Sequence, residues 1–160
     1  MTSDRTLERL SSLVGTWTTE ATHPAMPGVV VHGTANIEWL EGERFLILRA
    51  RNDHPDFPDS VSIIGFTERD RAAPGARSVP APEDEHPLTM HYYDSRGVFR
   101  EYETSIDDTS WRFQRLAPGF SQRFTGELVD DGNTIDGLSQ LCEDDGTWRD
   151  DLKITYRRRK

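Results

Sequence analysis

The chain has 160 residues, enough for one folded unit with a real core, and only 34% of them are apolar against 29% charged. That balance suits a half-exposed antiparallel sheet, and a net charge of −9 argues against nonspecific nucleic-acid binding, which is driven by phosphate neutralisation. Cys142 is the single cysteine, so an intramolecular disulfide is excluded. No apolar run reaches transmembrane length, and the residues after Met1 lack the pattern of a signal peptide. A cytoplasmic protein is expected, with no membrane partner and no nucleic-acid partner; the basic ending Arg157-Arg158-Arg159-Lys160 reads as a solvated run.

Ser3 or Asp4 can cap a short helix in which Leu7, Leu10, Leu13 and Val14 recur at helical spacing, a lid for one end of a sheet. Gly15 follows where helix gives way to strand, and Trp17 shares its face of the first strand, 16–23. The indole N–H then needs an acceptor, and a backbone carbonyl would serve. From Val29 the period is two. The second strand spans 29–40, with Val31, Gly33, Ala35, Ile37 and Trp39 on one face, and 44–51 returns after Glu41-Gly42-Glu43. A loop with two prolines leads to a strand at 61–66. Residues 68–87 carry Pro74, Gly75, Pro80, Pro82 and Pro87 among charges without periodicity, and read as a flexible loop rather than a domain boundary.

Six more strands follow at 88–93, 98–105, 111–116, 120–128, 134–142 and 147–157. The segments between them, such as Asp94-Ser95-Arg96-Gly97 and Asp130-Asp131-Gly132-Asn133, carry the Asp/Asn/Gly signal of hairpin turns. The fold class is therefore all-β: a closed up-and-down antiparallel barrel of about ten strands with a short N-terminal helix, one domain over 1–160. Closure removes the edges such a meander would otherwise expose.

Gly15-Thr16-Trp17 after a short helix resembles the signature of the calycin superfamily of lipocalins, fatty-acid-binding proteins and nitrobindin-like barrels. Further segments occur together in one order: Glu38-Trp39-Leu40, Ile63-Ile64-Gly65, Tyr93-Asp94-Ser95-Arg96-Gly97-Val98, Pro118-Gly119-Phe120 and the ending Thr155-Tyr156-Arg157. Jointly they resemble a bacterial family of unknown function placed with the calycin-like barrels. The resemblance implies a barrel whose floor is built from Gly15 and Trp17, with an arginine of the last strand, Arg157 or Arg158, packed across the tryptophan. Nitrobindin-like proteins ligate haem through a late histidine. Here His23, His32, His54, His86 and His91 are the histidines and none follows residue 91, so no haem or other cofactor is expected.

A barrel of this size either packs solid or holds one small ligand, so inward polar side chains are the informative ones. Val98, Arg100, Tyr102, Thr104 and Ile106 share one face of their strand, and Phe99, Glu101, Glu103 and Ser105 the other. If the first set faces inward, Arg100 and Tyr102 reach the cavity and the guanidinium can clamp a carboxylate. His91 and Tyr93 alternate with Met90 and Tyr92, and either pair can look inward. Arg49 shares a face with Phe45, Ile47 and Arg51. Trp39, Trp111 and Trp148 can stack on a flat ligand or serve the core. The candidate ligand-binding set is thus Trp39, Arg49, His91, Tyr93, Arg100 and Tyr102. No metal-ligand spacing, nucleophile elbow or glycine-rich phosphate loop occurs. The leading expectation is binding of a small apolar or aromatic ligand, with or without a carboxylate. The alternatives are a small barrel enzyme using His91, Tyr93 or Glu38 as acid or base, and a homodimeric interaction module.

Overall fold

The computed structural model describes residues 2–66, 88–143 and 146–160, with side chains from residue 5 onward. The loop expected at 68–87, with His86, and Asp144-Asp145 of the last turn lie outside the described residues. Helix α1 (Thr2–Ser11) is followed by β1 (Gly15–Thr22), β2 (Val31–Trp39), β3 (Phe45–Asn52), β4 (Ser60–Phe66) and β5 (Leu88–Asp94). Then come β6 (Phe99–Ile106), β7 (Ser110–Arg115), β8 (Ser121–Val129), β9 (Thr134–Cys142) and β10 (Arg149–Arg158). Each strand pairs antiparallel with its sequence neighbours, and β1 pairs with β10 from Trp17↔Arg158 to Thr22↔Lys153, closing the barrel. The described helix is too short and too polar to cross a membrane.

Alternation sets what faces in. On β1 the side chains of Trp17, Thr19 and Ala21 are buried while Thr16, Thr18, Glu20 and Thr22 meet water. On β6 Tyr102, Thr104 and Ile106 are buried between exposed Glu101, Glu103 and Ser105. Two details depart from the expected pattern. Val29 and Val30 are exposed and stand before β2, because Val29 N–H closes a turn onto the Met26 carbonyl and Gly28 adopts φ +78°. Strand β10 carries a bulge between Asp150 and Lys153, so that neighbouring Asp151 and Leu152 both reach the interior.

The end that carries α1 is packed solid. Leu10 and Leu13 are fully buried over Trp17, itself wholly inaccessible, and the indole Nε1–H donates to the Leu13 carbonyl at 2.9 Å. Tyr156 meets the indole edge-on at 6.4 Å. Across the other face lies the Arg158 guanidinium, 4.2 Å from the ring centroid. It donates to the carbonyls of Val14, of Ser12 at 2.7 Å and of Gly132 at 3.3 Å. The guanidinium thus ties the helix–strand junction to the turn before β9. Gly15 is required here twice over: its φ is +147°, and a Cβ would stand 2.5 Å from Arg158 Nη1.

The floor arginine is therefore Arg158 and not Arg157. The register explains the correction. Trp17 pairs with Arg158 and so shares its face, whereas Arg157 pairs with Thr18 and points outward, to an ion pair with Glu20 at 3.3 Å.

Candidate functional site

Above the packed floor the barrel opens into a cavity of about 610 Å³. Its mouth lies at the end away from α1 and is framed by the segments that follow β1, β3, β5 and β7, with Met26, Phe57, Arg96 and Phe120 among the lining residues. The inner wall is aromatic. Phe113 stacks on Phe124 at 4.6 Å, Tyr102 meets Phe113 edge-on at 5.1 Å, and Trp111 sits against both phenylalanines. Trp111 is satisfied internally: its Nε1–H donates to Thr104 Oγ1 at 3.2 Å, and that hydroxyl donates to the Arg112 carbonyl at 2.8 Å.

Set in this wall are a few polar groups. Arg100 and Tyr102 both line the cavity, because β6 turns its even-numbered side chains inward. The Arg100 guanidinium lies 5.7 Å from the centroid of Phe120 and forms no ion pair among the described residues. The Tyr102 hydroxyl donates to Gln122 Oε1 at 3.2 Å. Burial pushes this phenol up, opposed by a hydrogen bond from Arg100 and by the charges of Arg100 and Arg115. Tyr156 also lines the cavity, and burial pushes its phenol up to about 12. All these phenols are neutral hydrogen-bond donors at physiological pH.

At the mouth, the Asp94 carboxylate is wholly inaccessible. Arg96 grips Oδ2 through Nη2 at 2.7 Å and Nε at 3.2 Å, the Tyr92 hydroxyl donates to the same oxygen at 2.8 Å, and the N–H groups of Arg96 and Val98 serve Oδ1. The Arg96 guanidinium is the main cause that holds this carboxyl well below the usual carboxylate range, while burial opposes it. Tyr92 is raised, first by burial and then by Asp94. A depressed carboxyl stabilises the fold fully above its ordinary range, and that contribution is lost as the pH falls below about 4 toward the folded value. Asp94→Asn is expected to cost about 1–3 kcal/mol at neutral pH. It should also flatten the acid limb of stability, measured by urea unfolding from about pH 6 to pH 2. An acid limb unchanged in the variant would contradict this assignment.

On the opposite side of the mouth His23 Nε2 and Asp151 Oδ1 are 2.5 Å apart. His23 Nδ1 accepts the Ala25 N–H at 3.0 Å, which places the ring proton on Nε2. Both nitrogens are thus committed, and the pair anchors the chain after β1 to the β10 bulge. Nearby, Arg123 packs over Trp148 at 4.1 Å and donates to Gln140 Oε1 at 2.8 Å.

The other expected binding residues lie elsewhere. Leu88, Met90 and Tyr92 take the interior face of β5, so His91 and Tyr93 stand outside the wall. His91 is 3.5 Å from Glu101 and stacks on Phe99, and Tyr93 is 47% exposed. Arg49 also points outward and donates to Glu38 at 2.6 Å, which removes Glu38 from the interior as well. Trp39 is half-buried against the core and does not line the cavity. Trp111 does line it, and Trp148 is occupied by Arg123. The correction follows from the pleat: on β3 the more apolar set faces in, and on β5 the pairing with β6 carries Met90 and Tyr92 inward. Sequence reasoning left Tyr92 as an open alternative to His91 and Tyr93, and missed Gln122 and Tyr156. Tyr92 pairs directly with Arg100 across β5 and β6, so fixing one face fixes the other. Among the described residues no group of three His, Cys, Asp or Glu side chains is placed to hold a metal ion.

No family model matches the sequence, and no curated protein matches it. Among solved structures, the crystal structure of Rv2717c from M. tuberculosis superposes with a TM-score of 0.62 at 14% identity, covering 97% of this chain and 98% of that one. At that identity the likeness is one of fold.

Proposed function

We propose that this calycin-like barrel binds one small apolar or aromatic molecule bearing a single anionic group, with the apolar body among Phe113, Phe124 and Trp111 and the anion at Arg100. The observation that carries the reading is the Arg100 guanidinium, which lines an aromatic cavity with no carboxylate paired to it among the described residues. A cation held in such surroundings loses hydration, and an anionic ligand supplies the missing partner. The planar guanidinium can donate two parallel hydrogen bonds to a carboxylate, and the Tyr102 hydroxyl stands beside it. The cavity of about 610 Å³ is of the size that takes a single small molecule. Calycin-like membership is supported by the closed ten-strand wall and by the Gly15, Trp17 and Arg158 seal at its floor. A catalytic reading gains nothing from the geometry, because His91, Tyr93 and Glu38 are turned to the outside.

A fluorescent fatty acid is the first probe. It is expected to bind and to be displaced by medium-length or aromatic carboxylates at least about tenfold more tightly than by the matching alcohols. Native mass spectrometry should show a stoichiometry of one. A protein that takes up neither the probe nor any of the carboxylates would overturn the proposal.

A further inference from the structure

The aromatic wall of β6 to β8 occupies one side of the cavity, and the side facing it carries polar groups with no partner. On β10, β1, β2 and β3 the register sets Tyr156, Thr19, Gly33 and Asn52 side by side on the interior face. The row starts at the floor, where Tyr156 meets the Trp17 indole, and climbs to the mouth, where Asn52 ends β3. There the Asn52 Nδ2–H donates to the Pro58 carbonyl at 2.9 Å. With the nitrogen committed to that loop, Oδ1 is turned toward Gly33. Glycine lets the neighbouring strands close in. A Cβ at this position would collide with the Arg51 carbonyl, and would stand 2.7 Å from Asn52 Oδ1 and 2.8 Å from Thr19 Oγ1. The missing side chain thus brings the two side-chain oxygens to one spot.

Among the described residues, the hydroxyls of Tyr156 and Thr19 and the Oδ1 of Asn52 make no side-chain hydrogen bond. No polar side-chain atom described is sealed in protein without a partner, so these three open on the cavity that their residues line. Tyr156 and Thr19 can each donate or accept, whereas Asn52 Oδ1 only accepts. A ligand hydroxyl set between Thr19 and Asn52 accepts from the one and donates to the other, and the Tyr156 phenol beside Thr19 offers a second donor. A carbonyl or an ether leaves Oδ1 without a donor, and a hydrocarbon strands all three groups. The row bears no charge, which fits a neutral group rather than an ammonium. Its centre, β1, lies five strands from β6 in either direction around the ring of ten, so the row looks across the barrel at Arg100. We propose that the ligand is a hydroxy acid, with its carboxylate at Arg100, its body against Phe113 and Phe124, and a hydroxyl at the far end held by Thr19, Asn52 and Tyr156. The assignment rests on the ligand reading above and narrows its class, from apolar acids in general to those oxygenated opposite the carboxylate.

Calorimetric titration of the whole chain with para-hydroxycinnamate, para-methoxycinnamate and cinnamate tests this. The hydroxy acid is expected to bind at least about tenfold more tightly than the other two, because the methoxy oxygen accepts a hydrogen bond but cannot donate one. Thr19→Val with Tyr156→Phe removes two hydroxyls and little volume. In that variant the preference should fall to about threefold or less while cinnamate binds as it does to the parent, and each single variant should lie between. Circular dichroism and the urea midpoint should stay close to those of the parent, since neither hydroxyl bonds to another side chain in the unliganded barrel. Equal affinities of the three acids for the parent, or a preference that survives both substitutions, would overturn the assignment and leave the ligand reading in place. If none of the three binds, the assignment falls, and uptake of the fluorescent fatty acid shows whether the ligand reading falls with it.

Discussion

Replacing Trp17 with alanine is expected to lower the unfolding free energy by about 3–5 kcal/mol, the largest effect of any single truncation in this barrel. The urea midpoint should fall while the slope of the transition stays the same. Three losses coincide at this position. The indole is completely buried, so its removal leaves a cavity that Leu10 and Leu13 can only partly fill. The Leu13 carbonyl loses the Nε1–H donor that reaches it at 2.9 Å. Arg158 loses the ring it covers, and with that the constraint that aims its donors at Ser12, Val14 and Gly132. Trp17→Phe separates these contributions, because it keeps most of the apolar area and the face under Arg158 but drops the hydrogen bond. Its cost should be less than half that of alanine. Equal costs would mean that the hydrogen bond, not the packing, holds the floor together.

The floor was legible because three independent signals coincide there. The leucine spacing of α1, the glycine at the junction and the tryptophan two residues on all point to one plugged barrel end, and each has a distinct physical cause. The ten strands were legible for a related reason, since their turns carry Asp, Asn and Gly where the backbone needs them. Facing was harder to read. On β5 the sequence Met90-His91-Tyr92-Tyr93 puts one aromatic and one polarisable side chain on either face, so alternation offers two equivalent answers and neighbouring strands decide between them. The pairing of Tyr92 with Arg100, and of Met90 with Tyr102, makes one decision for both strands. The confusion of Arg157 with Arg158 has the same root. A shift of one residue reverses every side chain of the strand, and only the pairing to Trp17 selects the correct one. The bulge that turns Asp151 and Leu152 inward together obeys no alternation at all, and His23 found its partner through it.

Arg100→Leu should weaken binding of a carboxylate ligand by about 10- to 100-fold while leaving the matching alcohol nearly unchanged, in the same displacement titration. The asymmetry follows from what the guanidinium faces. Without a carboxylate partner among the described residues, Arg100 has its Tyr102 contact and the Phe120 ring, so the charge is most useful when an anion arrives. A neutral ligand gives it nothing, and leucine restores an apolar wall of similar shape to such a ligand. For the same reason the unliganded variant is expected to be at least as stable as the parent, because a partly desolvated cation has been removed rather than a satisfied pair broken. Arg100→Lys sharpens the reading, since it keeps the charge but loses the planar fork; an affinity between those of parent and leucine variant marks a bidentate contact. If acid and alcohol lose affinity together, Arg100 acts through packing alone. The Tyr102→Phe variant should then leave carboxylate affinity nearly unchanged, because the one hydroxyl proton of Tyr102 is already donated to Gln122 at 3.2 Å.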